Sequence, residues 1–232
     1  MPRKIRGLLS ISLLAAALSA ISQANTLTLS FEGLEDRESV LDYYAGGEGS
    51  LGSGPGTNYG ITFAPNAIGV VSADDGGTGN FSGAPSMYTA LSFLSGTGDV
   101  MDVAAGFTGG LSFYYAAIAN PGMVSIYSGL DGAGDLLSQT ELPVTVSGGA
   151  GCDEPFCPFT RTSISFNGTG QSVIFGGAAN QIAFDNITLD VAASHADVGE
   201  APEPAAWMFM AAALAASAGV RRLRQYCLAS ST

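Results

Sequence analysis

The chain has 232 residues, with eight Lys+Arg against twenty Asp+Glu, one histidine and three cysteines. Six of the eight cations fall in the terminal segments, so residues 25–204 hold two arginines against all twenty carboxylates, a formal charge of −18. A body this acidic repels nucleic-acid phosphates and anionic headgroups, which argues against nucleic acid as a partner; with His195 alone, a Ser-His-Asp or Cys-His machine has no base.

Arg3, Lys4 and Arg6 precede an apolar stretch over residues 7–21, and Ser22-Gln23-Ala24 supplies small residues beside a cleavage point. Residues 1–24 therefore read as a secretory signal peptide, which predicts export across the inner membrane and a mature start at Asn25. Alternation begins at once. Leu27, Leu29 and Phe31 share one face at period two, the pattern of a half-buried strand over 26–32. Further strands are predicted at 59–63, 68–72, 90–94, 110–116, 123–127, 163–166, 172–175 and 182–189, with a hairpin over 123–142 whose tip is 128–135. Gly, Asn and Asp clusters at 74–80 and 131–135 are turns. Many short strands in one domain's length predict an all-β fold for residues 25–191, an antiparallel jelly-roll-like β-sandwich.

Cys152 and Cys157 sit in a turn-rich loop of an exported chain, where an oxidising compartment favours a disulfide between them. Alternation ends near residue 192, and 192–201 reads as a polar linker. Pro202-Glu203-Pro204 follows, then an apolar run over 205–220, then Arg221, Arg222 and Arg224, with 226–232 a short tail. The prolines force an extended, accessible segment ahead of a helix. Sixteen apolar residues span about 24 Å at ~1.5 Å per residue, short of a ~30 Å hydrocarbon core. The arginines form a basic stop that stays cytoplasmic. In this order the parts of 202–225 resemble the PEP-CTERM sorting signal of Gram-negative bacteria. That resemblance implies transient membrane insertion of the C-terminal hydrophobic helix, processing by an exosortase-type enzyme, and delivery to the cell envelope or extracellular matrix. The alternative is a permanently membrane-tethered surface protein. Phe31-Glu32-Gly33-Leu34, Tyr43-Tyr44-Ala45-Gly46-Gly47, the segment 54–63 and Ile182-Ala183-Phe184-Asp185-Asn186-Ile187-Thr188-Leu189 are similar to landmarks of a recurrent β-sandwich group of PEP-CTERM proteins with no established activity. The closing strand is similar to the last strand of carbohydrate-binding jelly rolls.

No phosphate-binding glycine loop is present; the glycines punctuate turns. Two carboxylates suffice for glycoside hydrolysis, so a secreted carbohydrate-active enzyme is the alternative class, although no Glu-x-Asp-x-x-Glu strand motif occurs. For metals, Glu32 on the first strand and Asp185 on the last are placed to share a structural calcium, with backbone carbonyls completing the shell. In the competing reading Asp185, beside Asn186, bonds a turn backbone. Tyr43, Tyr44, Tyr59, Tyr88, Tyr114, Tyr115 and Tyr127 supply either sugar-stacking rings or packing, and only one ring of each adjacent pair can enter a shared core. These features predict a non-enzymatic, structural or adhesive exported protein, and the PEP-CTERM resemblance implies exopolysaccharide as its binding partner.

Overall fold

The computed structural model describes residues 24–149 and 152–192. The expectations for the signal peptide, linker, Pro202, Glu203, Pro204, the helix over 205–220 and the arginine stop lie outside the described residues. Among the described residues no helix is long and apolar enough to cross a membrane.

The described chain is all-β and antiparallel. Its strands are β1 (Ala24–Leu29), β2 (Glu38–Ser39), β3 (Ile61–Phe63), β4 (Ile68–Val71), β5 (Thr89–Ser92), β6 (Gly98–Ala116), β7 (Gly122–Tyr127), β8 (Leu136–Leu142), β9 (Thr160–Ser165), β10 (Gly170–Gly176) and β11 (Ala183–Ala192). The predicted hairpin is β7–β8, paired from Gly122↔Leu142 to Tyr127↔Leu136. The first strand stops at Leu29, short of the predicted end, so Glu32 lies in the turn after it. The largest departure is β6, which extends twelve residues before its expected start at residue 110.

That strand joins the two layers of the sandwich. Its first part pairs with β3 and β10, through Met101↔Phe63 and Met101↔Val173. Its second part pairs with β9 and β11, through Leu111↔Ile164 and Leu111↔Leu189. One layer is therefore β3-β6-β10-β7-β8. The other runs β9-β6-β11 and continues through β5, β4 and β2, with β1 beside the far end of β11. Between its two parts β6 turns through glycines. Gly106 has φ 77° and Gly110 φ 143°, and a Cβ on Gly110 would collide with the Ile164 carbonyl oxygen. No side-chain-bearing residue fits that backbone without strain.

The core lies between the layers and is rich in phenylalanine. Phe113, Phe175 and Phe184 meet edge to face, with centroids 5.0 Å apart for Phe175–Phe184 and 5.8 Å for Phe113–Phe175. Leu27, Leu29 and Phe31 all enter this core, as their period-two spacing requires. In β11, Phe184 and Ile187 both face inward although they are three residues apart. A register shift between Asp185 and Thr188, with Asn186 at φ 47°, absorbs the extra residue.

Candidate functional site

The outer face of the β9-β6-β11-β5-β4 layer is covered in part by loops, and a second apolar cluster lies there. Ala90, Ala116 and Ala183 point outward from β5, β6 and β11, and Phe81 and Phe156 are buried over them. The small strand residues leave room for the two rings. Two loops bring the rings in, and hydrogen bonds tie the loops together. Phe156 N–H donates to the Asn80 carbonyl at 3.2 Å. The Asp153 and Glu154 N–H groups both donate to Ser82 Oγ, at 3.1 and 3.2 Å. Cys152 and Cys157 form the expected disulfide, with Cα atoms 5.4 Å apart, and it closes the loop that carries Phe156.

Beside this cluster a cleft of about 390 Å³ opens. Val70, Ser92 and Ala183 line it from the strands, and Phe81 and Phe156 from the loops. Thr78, Asn80, Asn180 and Arg37 add polar groups to the lining. The Ser92 hydroxyl is already committed to the Ile182 carbonyl at 3.0 Å, and the side chains of Arg37, Thr78, Asn80 and Asn180 in the lining are exposed. Apolar walls with a few convergent donors and acceptors suit a polar, ring-shaped ligand.

None of these residues stood out in the sequence as a site. Phe81 and Phe156 lie in turn-rich loops outside any alternating run. Arg37 carried the one available signal, as one of only two cations in the acidic body. The tyrosines are placed elsewhere. Tyr44 and Tyr115 are buried, while their neighbours Tyr43 and Tyr114 are half-buried, which settles which ring of each pair enters the core. Tyr43 also donates its hydroxyl to the Glu32 carbonyl, and none of the tyrosines lines the cleft.

Glu32 and Asp185 are brought together, with Ser86 between them. Ser86 N–H donates to Asp185 Oδ2 at 2.7 Å, and Asn186 N–H donates to Asp185 Oδ1 at 2.6 Å. Glu32 Oε1 accepts from the Tyr88 and Thr89 N–H groups, both at 2.9 Å, and stands 3.0 Å from Ser86 Oγ. The two carboxylates thus clamp the segment 86–89 onto the sandwich. Asp185 is fully buried by that segment, and burial pushes its carboxyl up to about 6, with the nearby Glu32 charge adding to the rise. The backbone-bonding reading of Asp185 is realised directly. Among the described residues no group of three or more His, Cys, Asp or Glu side chains is placed to hold a metal ion.

No protein-family model matches the chain, and no curated protein matches it. Among solved structures it is similar to the C-terminal CBM6 of LamC, a marine laminarinase from Zobellia galactanivorans, at 13% identity over 72% of this chain and 99% of that chain, with a TM-score of 0.36. It is also similar to the cleaved adhesin domain of Lys-gingipain from Porphyromonas gingivalis, at 13% identity over 73% and 99% of the two chains, with a TM-score of 0.37. The N-terminal tandem CBM22 domain from Paenibacillus barcinonensis aligns at 15% identity over 80% of this chain and 50% of that chain, with a TM-score of 0.38. Likeness of this degree transfers no ligand, sugar site or cation to this chain.

Proposed function

We propose that the chain is an exported, non-enzymatic protein of the cell envelope or extracellular matrix that binds exopolysaccharide through the cleft beside Phe81 and Phe156. The observation that carries this reading is the cleft itself, whose lining combines the largely buried rings of Phe81 and Phe156 with the exposed side chains of Asn80, Asn180 and Arg37. Sugar rings present apolar C–H faces and a rim of hydroxyls, which fits such a lining. The carboxylate-pair enzyme is the less favoured reading. Glu32 and Asp185, the pair singled out in the sequence, are brought together by the fold, and the Ser86, Tyr88, Thr89 and Asn186 backbones already bond them. A general acid must reach the glycosidic oxygen, and Asp185 has no exposed surface.

Affinity electrophoresis of the secreted protein through gels containing exopolysaccharides tests the binding reading. Retardation that is lost in Phe81→Ala and Phe156→Ala supports it, and unaltered mobility across a broad polymer panel overturns it. The delivery route rests on the sequence of 202–225: processing by an exosortase-type enzyme predicts an intact mass lacking everything beyond the Pro202-Glu203-Pro204 region. A recovered chain ending at Thr232 would make it a tethered surface protein.

A structural calcium between Glu32 and Asp185 is a second part of the proposal. The oxygens around Ser86 support it. Ser86 Oγ has one proton yet stands within 3.0 Å of the Ser30 carbonyl, 3.0 Å of Glu32 Oε1 and 3.3 Å of the Thr89 carbonyl. More oxygens converge than one hydroxyl proton can satisfy, and two of the surrounding groups are carboxylates. Hard oxygen donors of this kind suit calcium. Glu32, Asp185 and the Ser30 and Thr89 carbonyls are the groups that would hold it, and the bound ion would cross-link the turn after β1 to β11. Calorimetric titration of chelator-treated protein is expected to show calcium heat and a raised Tm, both lost in Glu32→Gln; absence of both removes the calcium.

A further inference from the structure

From the charges around the cleft we infer that its ligand is an acidic saccharide, a polymer bearing uronic-acid carboxylates, with Arg37 as the group that pairs with the carboxylate. The inference rests on the polysaccharide reading above and specifies the sugar.

Residues 25–204 hold twenty carboxylates and two arginines, yet none of the described residues lining the cleft is Asp or Glu, and one of the two arginines lines it. Arg37 itself has no hydrogen bond or ion pair from its guanidinium among the described residues, although its chain neighbours on both sides are acids. Those acids are engaged elsewhere. Asp36 Oδ1 accepts the Val71 N–H at 3.0 Å. Glu38 is fully buried and accepts the Leu51 and Ser53 N–H groups on Oε1 at 2.7 and 3.1 Å, and the Glu35 N–H on Oε2 at 2.8 Å. The fold therefore satisfies both acids with backbone donors and leaves the cation between them exposed. Arg37 has φ 62° and Asn180, also lining the cleft, has φ 59°. For Arg37 this left-handed conformation costs free energy that other contacts offset, whereas asparagine adopts it comparatively readily.

An unpaired guanidinium is a planar fork of donors that matches a carboxylate. Apolar walls take the sugar ring, and Asn80 and Asn180 supply donors and acceptors for hydroxyls. The acidic remainder of the body repels polyanions at long range, but at physiological salt the screening length is about 8 Å, so a contact pair outweighs distant charges. The same repulsion suppresses non-specific capture of polyanions, so binding depends on this contact.

The test is calorimetry at about 0.15 M salt with oligomers of galacturonan, glucuronan and alginate, each beside its carboxyl-reduced form, for the wild type and Arg37→Gln. At least one uronan is expected to bind, and to lose roughly tenfold or more in affinity on carboxyl reduction and again in Arg37→Gln, the size of a lost charge-assisted pair. An unchanged Tm for Arg37→Gln shows that the fold is intact, and the carboxyl-reduced arm decides the matter without any variant. Equal binding of native and reduced oligomers, or of wild type and Arg37→Gln, overturns the inference. Capture of neutral polymers in preference to uronans overturns it while leaving the polysaccharide reading standing. No binding to any acidic or neutral polymer overturns both.

Discussion

Among the described residues two apolar clusters lie on opposite sides of one sheet layer, and they are built differently. The inner one, between the layers, is built from large rings on regular strands, with Phe113, Phe175 and Phe184 in mutual contact. The outer one sets alanines on the strands under rings from loops, with Phe81 and Phe159 5.9 Å apart. Alternation encodes the first; a disulfide loop and side-chain-to-backbone bonds assemble the second. Fold and cleft are therefore separable, which is how a common sandwich can carry a particular site. The sharpest way to break this contrast is Phe184→Ala against Phe156→Ala. The core variant is expected to lose about 3–5 kcal/mol in urea unfolding. Phe156→Ala should lose far less stability and most of the polysaccharide affinity; equal unfolding losses would make the outer cluster part of the core.

Two buried aspartates extend the contrast. Asp185 has both oxygens bonded by backbone N–H groups, while neither oxygen of Asp99, at the start of β6, has a hydrogen-bond partner among the described residues. Burial raises both carboxyls, Asp185 to about 6 and Asp99 well above the ordinary value. A carboxyl whose value is raised on folding binds its proton more tightly in the native state. Its contribution is therefore present below the unfolded value near 4 and is lost as pH rises, through about 6 for Asp185. Urea midpoints in chelator are expected to fall between pH 4 and pH 8. Asp99→Asn should flatten that fall and raise the midpoint at pH 8. Asp185→Asn should instead cost about 1–3 kcal/mol at pH 4, because the amide offers one acceptor where two N–H groups donate, and the cost should shrink toward pH 8, where the wild type has lost the contribution of the protonated carboxyl. A midpoint rising with pH in the wild type would refute the assignment.

How far the sequence reached follows the same division. Leu27, Leu29 and Phe31 were legible as core because period-two spacing is a geometric property of any strand. The hairpin β7–β8 was legible because a glycine-rich run separates two alternating segments. The first part of β6 was not, because Gly106, Gly109 and Gly110 interrupt its pattern with the features of a turn, and only the crossing between layers explains a strand running through them. Glu32 and Asp185 were paired from topology, but Ser86, which lies between them, sits 54 residues from one and 99 from the other. Beyond Arg37, one of two cations in the acidic body, the cleft had no local signal. Phe81 and Phe156 meet only through loop closure and the bond from Phe156 N–H to the Asn80 carbonyl, contacts that spacing does not encode.

The smallest stability effect belongs to the disulfide. Cys152 and Cys157 are five residues apart in sequence, and closing so short a loop restricts the unfolded chain by no more than about 2 kcal/mol in the chain-entropy account. The loop lies outside the inner core, so local opening need not propagate to the strands. Reduction, or the double variant Cys152→Ser/Cys157→Ser, is therefore expected to shift the urea midpoint only slightly. Its effect on the cleft should be larger. Ser82 Oγ accepts the Asp153 and Glu154 N–H groups from within the closed loop, and Phe156 follows them after Pro155. Without the bridge those three residues gain conformational freedom, and binding must order them again at a cost in affinity. Polysaccharide retardation measured before and after reduction, at a temperature where circular dichroism shows the strands intact, separates the two effects. Weakened retardation with unchanged strand signal is the expected result; retained affinity would mean that the tie between the two loops suffices to hold Phe156 against the sheet.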